Sequence, residues 1–584
     1  MQVLALVFLF TINRGNSATQ VLYVSPTEPT PVACPDQPCN MLSYYVHHTW
    51  MLTSNSTLHF QPGVHILGES TVLVVQKIAN FTISGEKHNE SIVLCAENAG
   101  FFFTEILGLS VDNLSFLYCG HGITEVGKFS TSRAALWFAT ITNLQISQIT
   151  VCNGTGYGIY ALDLWGDVLI SDSVIAFNSG NTDYMGGNVF IYLGVTSWKH
   201  NSVTLTIESC TITFGSSTYP QLYSPGLQIR VGKFSTSTDI KITNSRFSSN
   251  MLNRTGNKAS WIHPGNAGIH LFSRTRNTSH MIKVENCTFE FGVNLSGLVL
   301  IVNKPWEHLS CSPLEYNIPE AYTVHIFNTI FQYNICDDVA GCGGLSMVIS
   351  NKACHDTNMY IKNTMFDNNK SQGVGGNILV MADIFQSSNH THTIKIDNVT
   401  VSNGVALYCA GLYLYTGSSF AHDPSSEQAA QCNLNISLIL NILNANFINN
   451  LAVYGVGLYV VDLTLSRVLN VGNSVFQTND ATAAGKAMYL FSYSSKLVFG
   501  NVHFLNNGHI GMTETTIPVI FLHNSKNVTF VDCEFYENNG TAISAVSSTP
   551  HFQGNVHFQN NRAENGGALS LFTESTSSET MQTM

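Results

Sequence analysis

Three short stretches contain the residue types that acid/base hydrolysis requires. They are Gly120-His121-Gly122, Asn181-Thr182-Asp183 and Asp337-Asp338. A histidine or a pair of carboxylates can transfer protons when the groups converge on one reacting bond, and carboxylates that flank a glycosidic bond lie about 5 to 9.5 Å apart. Whether these side chains can meet depends on the elements that position them.

Metal chemistry finds little support in the sequence. The chain has 14 cysteines and 21 histidines, but no Cys/His spacing matches a zinc site and no HExxH helix occurs. Acidic residues are too sparse to predict a calcium cluster. The histidines His47-His48, His390 and His392 are interpreted as surface or strand-face residues. We therefore expect no metal and no cofactor.

The composition limits the class of protein. Of 584 residues, 44% are hydrophobic and only 11% are charged, so a large core can form and disorder is excluded. The 25 basic residues face 37 acidic ones, a net charge of -12. Because no basic face is available to neutralise phosphates, nucleic acid is not expected as a partner.

A repeat organises the chain. Fifteen six-residue segments align, 23 to 46 residues apart, and the last residue of each is called its end residue here. Asn stands three residues before the end residue in eleven units, and Asn or Gly three residues after it in thirteen. Since Asn and Gly tolerate the left-handed backbone region, both positions are predicted to be sharp corners. The end residues are Ile83, Phe116, Val151, Ile175, Ile212, Phe247, Phe289, Phe331, Phe366, Val401, Phe447, Phe476, Phe504, Phe535 and Phe558.

The segments between corners are β-branched or aromatic and too short for helices. Stacking such units at about 4.8 Å satisfies their backbone groups and buries their apolar faces. A β-sandwich array or a propeller would show hairpin turns and a tighter period, and the hexapeptide pattern of left-handed coils is missing. The sequence therefore predicts an all-β fold, a right-handed parallel β-helix solenoid of about fifteen coils with a small N-terminal capping segment.

Two columns of side chains should stabilise this stack. Phenylalanines at the end position are expected to stack inside the coil, and asparagines three residues earlier are expected to form an inward amide ladder. The structural residues so predicted are Phe331, Phe366, Phe476 and Phe504 for the first column and Asn244, Asn286, Asn328 and Asn363 for the second.

The stacking rise separates the candidate catalytic groups. Four end residues lie between Asp183 and Asp337, which places these carboxylates on the order of 15 to 20 Å apart. His121 lies still further away in the stack. We interpret the three stretches as chance occurrences and predict no catalytic residue.

Four segments are predicted along the chain. Residues 1–17 read as a signal peptide, because Val3 to Phe10 is apolar and small residues follow. Residues 18–72 are expected to form an N-terminal cap, with a helix from Asn40 to Leu52 that begins at an Asn40 N-cap and presents Leu42, Tyr45, Val46 and Trp50 at helical spacing. Residues 73–572 form the β-helix, and 573–584 a disordered tail or truncated end. No matching cap is visible there, which predicts a covering partner or, in preference, a fragment of a longer protein.

The cysteine count and fifteen Asn-X-Ser/Thr acceptors agree with secretion. Cys34 and Cys39 are the predicted disulfide; the pairing of the other twelve cysteines stays open, and Cys210, Cys287 and Cys533 could equally be buried thiols. Asn55, Asn89, Asn253 and Asn389 are the predicted glycosylation sites. The acceptors Asn80, Asn113, Asn286 and Asn398 coincide with the predicted inward ladder and are expected to be unmodified. No apolar run after the signal is long enough for a membrane span.

The repeat resembles the right-handed β-helix proteins of the pectin-lyase-like superfold. Phe558-Gln-Asn-Asn561 and Gly566-Gly567-Ala568-Leu569 resemble the FxxN and GGA[ILV] repeats of chlamydial polymorphic outer-membrane proteins, and the amino-terminal YVSP, CPDQPC and LHFQPGVHIL are similar to those of uncharacterised secreted animal proteins. The superfold implies lyases, hydrolases, epimerases or adhesins, so the resemblance is specific for fold and weak for function. The chlamydial proteins carry a membrane barrel after their repeats, and no such segment is evident in this sequence.

These observations favour a non-catalytic, secreted glycoprotein that presents a β-helix face for extracellular adhesion or recognition, with glycans or cell-surface proteins as partners. The alternative is a carbohydrate-active enzyme, a polysaccharide hydrolase or lyase with an unrecognised site, which would need carboxylates converging beside the Gly-initiated strands. A purely structural matrix component is a third reading.

Overall fold

The computed structural model describes most of the chain. The described residues are 20–27, 39–87, 90–122, 133–180, 186–194, 202–218, 224–232, 237–253, 265–271, 279–302, 321–337, 341, 343–350, 356–383, 391–417, 437–462, 467–492, 496–508, 516–525, 527–564 and 566–572. The predicted signal peptide, Cys34, Asn89, Asn389, Asp183, Asp338 and the tail 573–584 lie outside them.

Each coil contains up to three main strands, called first, second and third in chain order. The first strands are Val72–Gln76, Gly187–Leu193, Leu227–Val231, Gly265–Leu271, Ser296–Val302, Leu345–Ser350, Ile378–Asp383, Leu412–Gly417, Leu458–Asp462, Met488–Ser492, Ile520–His523, Ile543–Val546 and Leu569–Phe572. The second strands are Gln20–Ser25, Ser56–Phe60, Ala79–Gly85, Ser202–Glu208, Ser237–Thr243, Ser279–Glu285, Ala321–Phe327, Asp356–Lys362, Thr391–Asp397, Ser437–Leu443, Arg467–Gly472, Lys496–Gly500, Asn527–Val531 and Pro550–Gln553. Gly100–Asp112, Arg133–Ser147 and Tyr157–Ser171 each continue from first to second strand.

Sixteen third strands lie in the described part of the chain, and they form one sheet. They are Gly63–Leu67, Ser91–Cys95, Ser115–Leu117, Thr150–Cys152, Val174–Ala176, Thr211–Thr213, Arg246–Ser248, Thr288–Glu290, Ile330–Gln332, Met365–Asp367, Thr400–Ser402, Asn446–Ile448, Val475–Gln477, His503–Leu505, Glu534–Tyr536 and His557–Gln559. Short parallel pairs follow some of them: Ser216–Ser217 with Met251–Leu252, Ile335–Cys336 with Lys370–Ser371, and Leu451–Tyr454 with Asp480–Ala484. Cys39–Met41 pairs with the first of the second strands, and His121–Gly122 pairs antiparallel with Arg133–Ser147.

Apart from the antiparallel pair at His121–Gly122, the described strands pair in parallel with those of the coils before and after. Phe331 is in register with Phe289 and Phe366, and Phe476 with Phe447 and Phe504. Like residues of consecutive coils therefore lie on top of one another. The predicted fold class, a right-handed parallel β-helix solenoid, is confirmed.

The stack begins earlier than residue 73. Gln20–Ser25 pairs in parallel with Ser56–Phe60, which pairs with Ala79–Gly85. Ile83 is in register with Val111 rather than with Phe116. The predicted unit that ends at Ile83 is therefore five residues out of register, and it lies in a second strand. The error arose because Asn80 reproduced the Asn offset by coincidence.

The N-terminal helix is shorter than predicted. It spans Leu42–His47 and is followed by a 3₁₀ turn, Thr49–Met51. The N-cap is Met41, with no side-chain cap bond, so the predicted Asn40 cap is wrong. Leu42 and Tyr45 are buried as expected, but Trp50 is 73% exposed because the turn rotates it away from the coil.

The phenylalanine column fills the coil interior. Rings of Phe247, Phe289, Phe331 and Phe366 stack at centroid distances of 4.8 to 5.0 Å. After Val401 the column resumes with Phe447, Phe476, Phe504, Phe535 and Phe558, at 4.6 to 5.3 Å. These spacings follow the inter-strand rise, so rings of adjacent coils are in contact.

A second interior column consists of asparagine side chains, one for each of twelve successive coils; we call it the inner amide ladder. Each Nδ2 donates to the Oδ1 of the next coil's amide at 2.8 to 3.2 Å. The second N–H donates to a backbone carbonyl, as from Asn507 to Phe476, and most Oδ1 atoms also accept a backbone N–H, as from Asn479 to Asn507. The buried amides therefore have hydrogen-bond partners at both nitrogen and oxygen, as burial requires. The members are Asn178, Asn188, Asn250, Asn266, Asn334, Asn369, Asn377, Asn450, Asn479, Asn507, Asn538 and Asn561.

The ladder has no gaps although three coils have Gly at the expected position. Gly215, Gly292 and Gly404 stand three residues after their end residues. In these coils the amide comes from an asparagine at the start of the preceding first strand: Asn188, Asn266 and Asn377. A Cβ added at the three glycines would lie 2.4 to 2.7 Å from the Nδ2 of that asparagine, so the glycine leaves room for it.

The predicted inward ladder at Asn244, Asn286, Asn328 and Asn363 is wrong. These residues are exposed, at a first corner between second and third strands, with φ of 49° to 53°. Asn286 donates to Asn244, and Asn363 to Asn328, both at 3.2 Å, which makes an outer amide ladder. The positive φ turns these side chains to solvent, and the next residue points inward instead.

Outward corner amides alter the expected glycosylation pattern. Asn286 and Asn398 are exposed, so the geometric reason for expecting them unmodified does not hold. Asn369, an acceptor within the inner amide ladder, is fully buried. Glycopeptide mass spectrometry of protein from a secretory host should find sugar at Asn286, Asn398 and the exposed Asn253, and none at Asn369. Sugar on Asn369 in folded protein would contradict the inner ladder. Asn55 is half-buried and stays a predicted site.

A buried histidine makes stability depend on pH. His280 is 2% exposed, stacks on Tyr322 at 5.0 Å, and neither ring nitrogen has a hydrogen-bond partner among the described residues. Burial lowers the pKa of His280 from 6.5 to about 4. Because the unfolded chain takes up the proton first, we expect stability to fall by about 3 kcal/mol as the pH drops from 6.5 to 4. Urea unfolding across this range should show the slope in the native protein and a reduced slope in His280→Phe; an equal slope in both would contradict it.

The described cysteines include one disulfide, Cys95–Cys119, which joins successive coils. Sequence reasoning left this pair open. Cys210, Cys287 and Cys533 are buried thiols, in agreement with the apolar interpretation, and burial raises the pKa of Cys210 to about 12 and of Cys287 to about 11.

Candidate functional site

The structure does not bring the candidate catalytic residues together. His121 follows the third strand Ser115–Leu117, and Asp337 follows Ile330–Gln332, six positions later in the same sheet. At the strand spacing this separates them by roughly 30 Å. Burial lowers the pKa of the half-buried His121, which lies two residues from the disulfide cysteine Cys119. No group of three or more His, Cys, Asp or Glu side chains that could hold a metal ion occurs in the described part of the chain.

The outer face of the first strands carries aromatic and apolar side chains in several described coils and polar ones, such as Gln228, Arg230 and His270, in others. Tyr413, Tyr459 and Tyr489 stack on it at 5.1 and 4.7 Å. These three tyrosines are half-buried, and burial raises the pKa of their hydroxyls. Further outward residues there are Trp137, Tyr160, Phe190, Val299, Val348 and Leu379, all buried.

A different aromatic column is open to solvent. It follows the second corner of each coil, which comes directly after the third strand. The corner residue lies two positions after the end residue of its repeat unit. Phe177 and Phe214 stack at 4.6 Å, and Phe291 and Tyr333 at 5.3 Å, with their planes within 6° of parallel. Their exposed fractions are 43 to 51%, and Tyr118 at the same corner is 55% exposed. We call these five residues the corner aromatics.

The backbone at this corner is unfavourable for such side chains. All five corner aromatics have φ between 52° and 60°, a region uncommon for bulky residues. Other coils place asparagine there: Asn153, Asn368, Asn403, Asn449, Asn506 and Asn560. Core packing does not explain exposed aromatic rings at an unfavourable backbone conformation. Such rings are typical of a binding surface.

The column is interrupted at two positions. Ser249 lies between Phe214 and Phe291, and Asn153 lies between Tyr118 and Phe177, each in register with its neighbours. Two coil rises separate the flanking rings by roughly 9 to 10 Å. Each interruption therefore forms a slot one coil high, called the Ser249 slot and the Asn153 slot here.

Polar side chains lie on the third strands beside the Ser249 slot. Arg246, in the coil of Ser249, pairs with Glu290 at 2.5 Å, and Gln332 donates to the same carboxylate at 2.7 Å. Arg246 is 59% exposed whereas Glu290 is 5% exposed. The cation is thus neutralised locally while its remaining N–H groups stay available to a ligand.

Sequence reasoning did not find the corner aromatics. Their signal was present, because aligning the end residues places an aromatic two positions later in five units. The Asn/Gly pattern predicts the corner one residue later than it lies in the structure. That later residue belongs to the inner amide ladder instead.

Comparisons with known proteins concern the fold. No family model matches the sequence, and no curated protein sequence matches it. Similar solved structures include an alginate lyase of family PL6 in complex with a trisaccharide, with 13% identity, 95% of both chains covered and a TM-score of 0.28. Pectate lyase Pel9A has 11% identity over 69% of this chain and 79% of its own, with a TM-score of 0.22.

The ORF18 protein of Geobacillus virus E2 has 11% identity over 67% of this chain, which spans about half, 54%, of the viral chain, with a TM-score of 0.25. These similarities are too low to carry an argument about activity, and the fold rests on the strand pairing itself. The resemblances to chlamydial repeats and to secreted animal proteins stay predictions. No helix among the described residues is both long and apolar enough to cross a membrane.

Proposed function

We propose that this chain is a secreted, non-catalytic glycoprotein that recognises a neutral glycan, with one sugar ring bound in the Ser249 slot. The observation that carries the proposal is the column of exposed corner aromatics, which the small residue Ser249 interrupts between Phe214 and Phe291. The disulfide Cys95–Cys119 supports an oxidising compartment.

The slot has room for one ring between Phe214 and Phe291, because neighbouring rings of this column stack at 4.6 to 5.3 Å. A chair-shaped sugar suits it, because its axial C–H bonds project from both faces. It can contact both aromatic faces at once while its hydroxyls reach Ser249 and the solvent.

Charge favours a neutral ligand. The chain has a net charge of -12, which repels acidic polymers at long range. Near the slot the exposed cation of Arg246 is already paired with Glu290, so a sugar carboxylate gains no free counter-charge there.

The test is binding of the full chain to an array of neutral oligosaccharides built from glucose, galactose, mannose and N-acetylglucosamine, followed by calorimetry with the oligosaccharide that binds best. Each aromatic face contributes on the order of 1 kcal/mol, so Phe214→Ala or Phe291→Ala should weaken binding about five- to tenfold. Ser249→Phe, which fills the slot with a ring, should abolish it.

Thr478→Phe is the matched control. It makes the same kind of change at the same corner, where φ is 51°, between Asn449 and Asn506 rather than between aromatics. It should leave binding unchanged. Equal loss in both Phe variants, or binding insensitive to Ser249→Phe, would refute the slot, and cleavage of a neutral polysaccharide by purified protein would overturn the non-catalytic assignment in favour of the enzyme alternative.

A further inference from the structure

The Asn153 slot differs from the Ser249 slot in what lies at its centre. Asn153 is exposed, and its side-chain amide has no hydrogen bond within the described part of the chain. At the same corner of other coils the amide is engaged, as where Asn368 and Asn403 both donate to Asp367. The amide at the centre of this slot is therefore free to react.

The flanking rings are held in register with it. Val151 pairs with Phe116 on one side and with Ile175 on the other. Tyr118 N donates to Cys152 O at 3.0 Å, and Asn153 N to Ala176 O at 3.2 Å. Tyr118, Asn153 and Phe177 thus occupy equivalent positions of three consecutive coils, with the two rings one coil above and one coil below the amide.

Asn153-Gly154-Thr155 is an N-glycosylation acceptor. We propose that Asn153 carries an N-linked glycan whose first sugar ring lies between the side chains of Tyr118 and Phe177. The attached sugar begins one bond from Nδ2, so it is delivered into the slot that the two rings leave open. This inference rests on the secretory part of the proposed function but not on the Ser249 slot.

The attachment is a balanced transfer. Nδ2 of Asn153 loses one proton and forms a bond to the anomeric carbon of the sugar, while the bond between that carbon and the diphosphate of a lipid-linked oligosaccharide donor breaks. The diphosphate leaves with the electron pair. The product amide keeps one N–H, and its outward position at φ 59° is unaffected because it takes no part in the inner amide ladder.

A ring enclosed on both faces should be shielded from enzymes. We expect full-length protein from a eukaryotic secretory host to carry sugar at Asn153, and native protein treated with peptide-N-glycosidase to lose it at least tenfold more slowly than at Asn253. Asn253 is an exposed acceptor and so serves as the internal control. Tyr118→Ala and Phe177→Ala should each accelerate release at Asn153 at least fivefold without changing release at Asn253.

Two further variants test whether the sugar at Asn153 depends on the acceptor sequence. Thr155→Ser retains the acceptor and should retain occupancy, whereas Thr155→Ala should abolish it. An unmodified Asn153, or release as fast as at Asn253 and insensitive to Tyr118→Ala and Phe177→Ala, would overturn the proposal. Absence of sugar at every acceptor would overturn it together with the secretory assignment, while array binding through the Ser249 slot would be judged separately.

Discussion

Replacing Asn266 with alanine should destabilise the coil stack by about 3 kcal/mol or more, and adding Gly292→Asn to the same chain should restore most of that stability. Asn266 accepts from Asn250 and donates to Asn334 and to the backbone of Glu290. Its removal leaves buried polar groups on both sides unpaired, at about 1 to 3 kcal/mol each.

The expected recovery of stability follows from the source of the ladder amide in the coil of Gly292. In most coils the amide comes from the position of Gly292, and an alanine occupies the position of Asn266 in coils such as that of Ala542. A Cβ on Gly292 meets only ladder side chains: Asn266 Nδ2 at 2.7 Å and Asn334 Oδ1 at 3.0 Å. Gly292→Asn alone should therefore destabilise through overcrowding, whereas the double variant again has one amide for that coil.

A double-mutant cycle measured by urea unfolding tests this. We expect each single variant to be less stable than the double, with a coupling free energy of about 3 kcal/mol or more. Additive losses would show that Gly292 and Asn266 do not share one rung, and the interpretation of the ladder would have to be abandoned.

Phe504→Ala should cost about 3 to 5 kcal/mol. Phe504 is fully buried and stacks on Phe476 at 5.3 Å and on Phe535 at 4.7 Å. Truncation leaves a cavity between two rings whose strands are held by backbone hydrogen bonds and cannot collapse into it. The adjacent Leu505, half-buried on the outer side, is the matched control, and Leu505→Ala should cost less than 1 kcal/mol.

Because each coil contacts only its neighbours, the loss should be local at first. Hydrogen exchange should accelerate in the coils of Phe476 and Phe535 while the coils around Phe247 remain protected. Uniform acceleration along the whole chain would indicate a single cooperative unit and would contradict the nearest-neighbour view.

The fold could be predicted because the phenylalanine offset and the apolar strands repeat in the sequence. Phe331 and Phe366 needed only alignment to be placed in one column. The orientation of Asn244 and Asn286 could not be predicted, because asparagine suits both a left-handed corner and a buried ladder, and its residue type does not distinguish them. Only the φ value and the burial do.

The exchange between Asn266 and Gly292 was harder to predict. Asn and Gly were treated as equivalent, since both tolerate positive φ, whereas Gly292 is glycine because another residue's amide occupies its place. The Ser249 slot was missed for a related reason: it is defined by a small residue between Phe214 and Phe291, which are distant in sequence and adjacent only after stacking.

The inner amide ladder also aligns its side-chain dipoles along the axis of the coil. One N–H of every ladder amide from Asn178 to Asn538 donates to the amide of the following coil, so the amide dipoles add rather than cancel along the axis. Rotating a single amide by 180° would set donor against donor on one side and acceptor against acceptor on the other. The orientation of each buried amide therefore depends on the orientation of its neighbours. The ladder amides keep or lose their common orientation together.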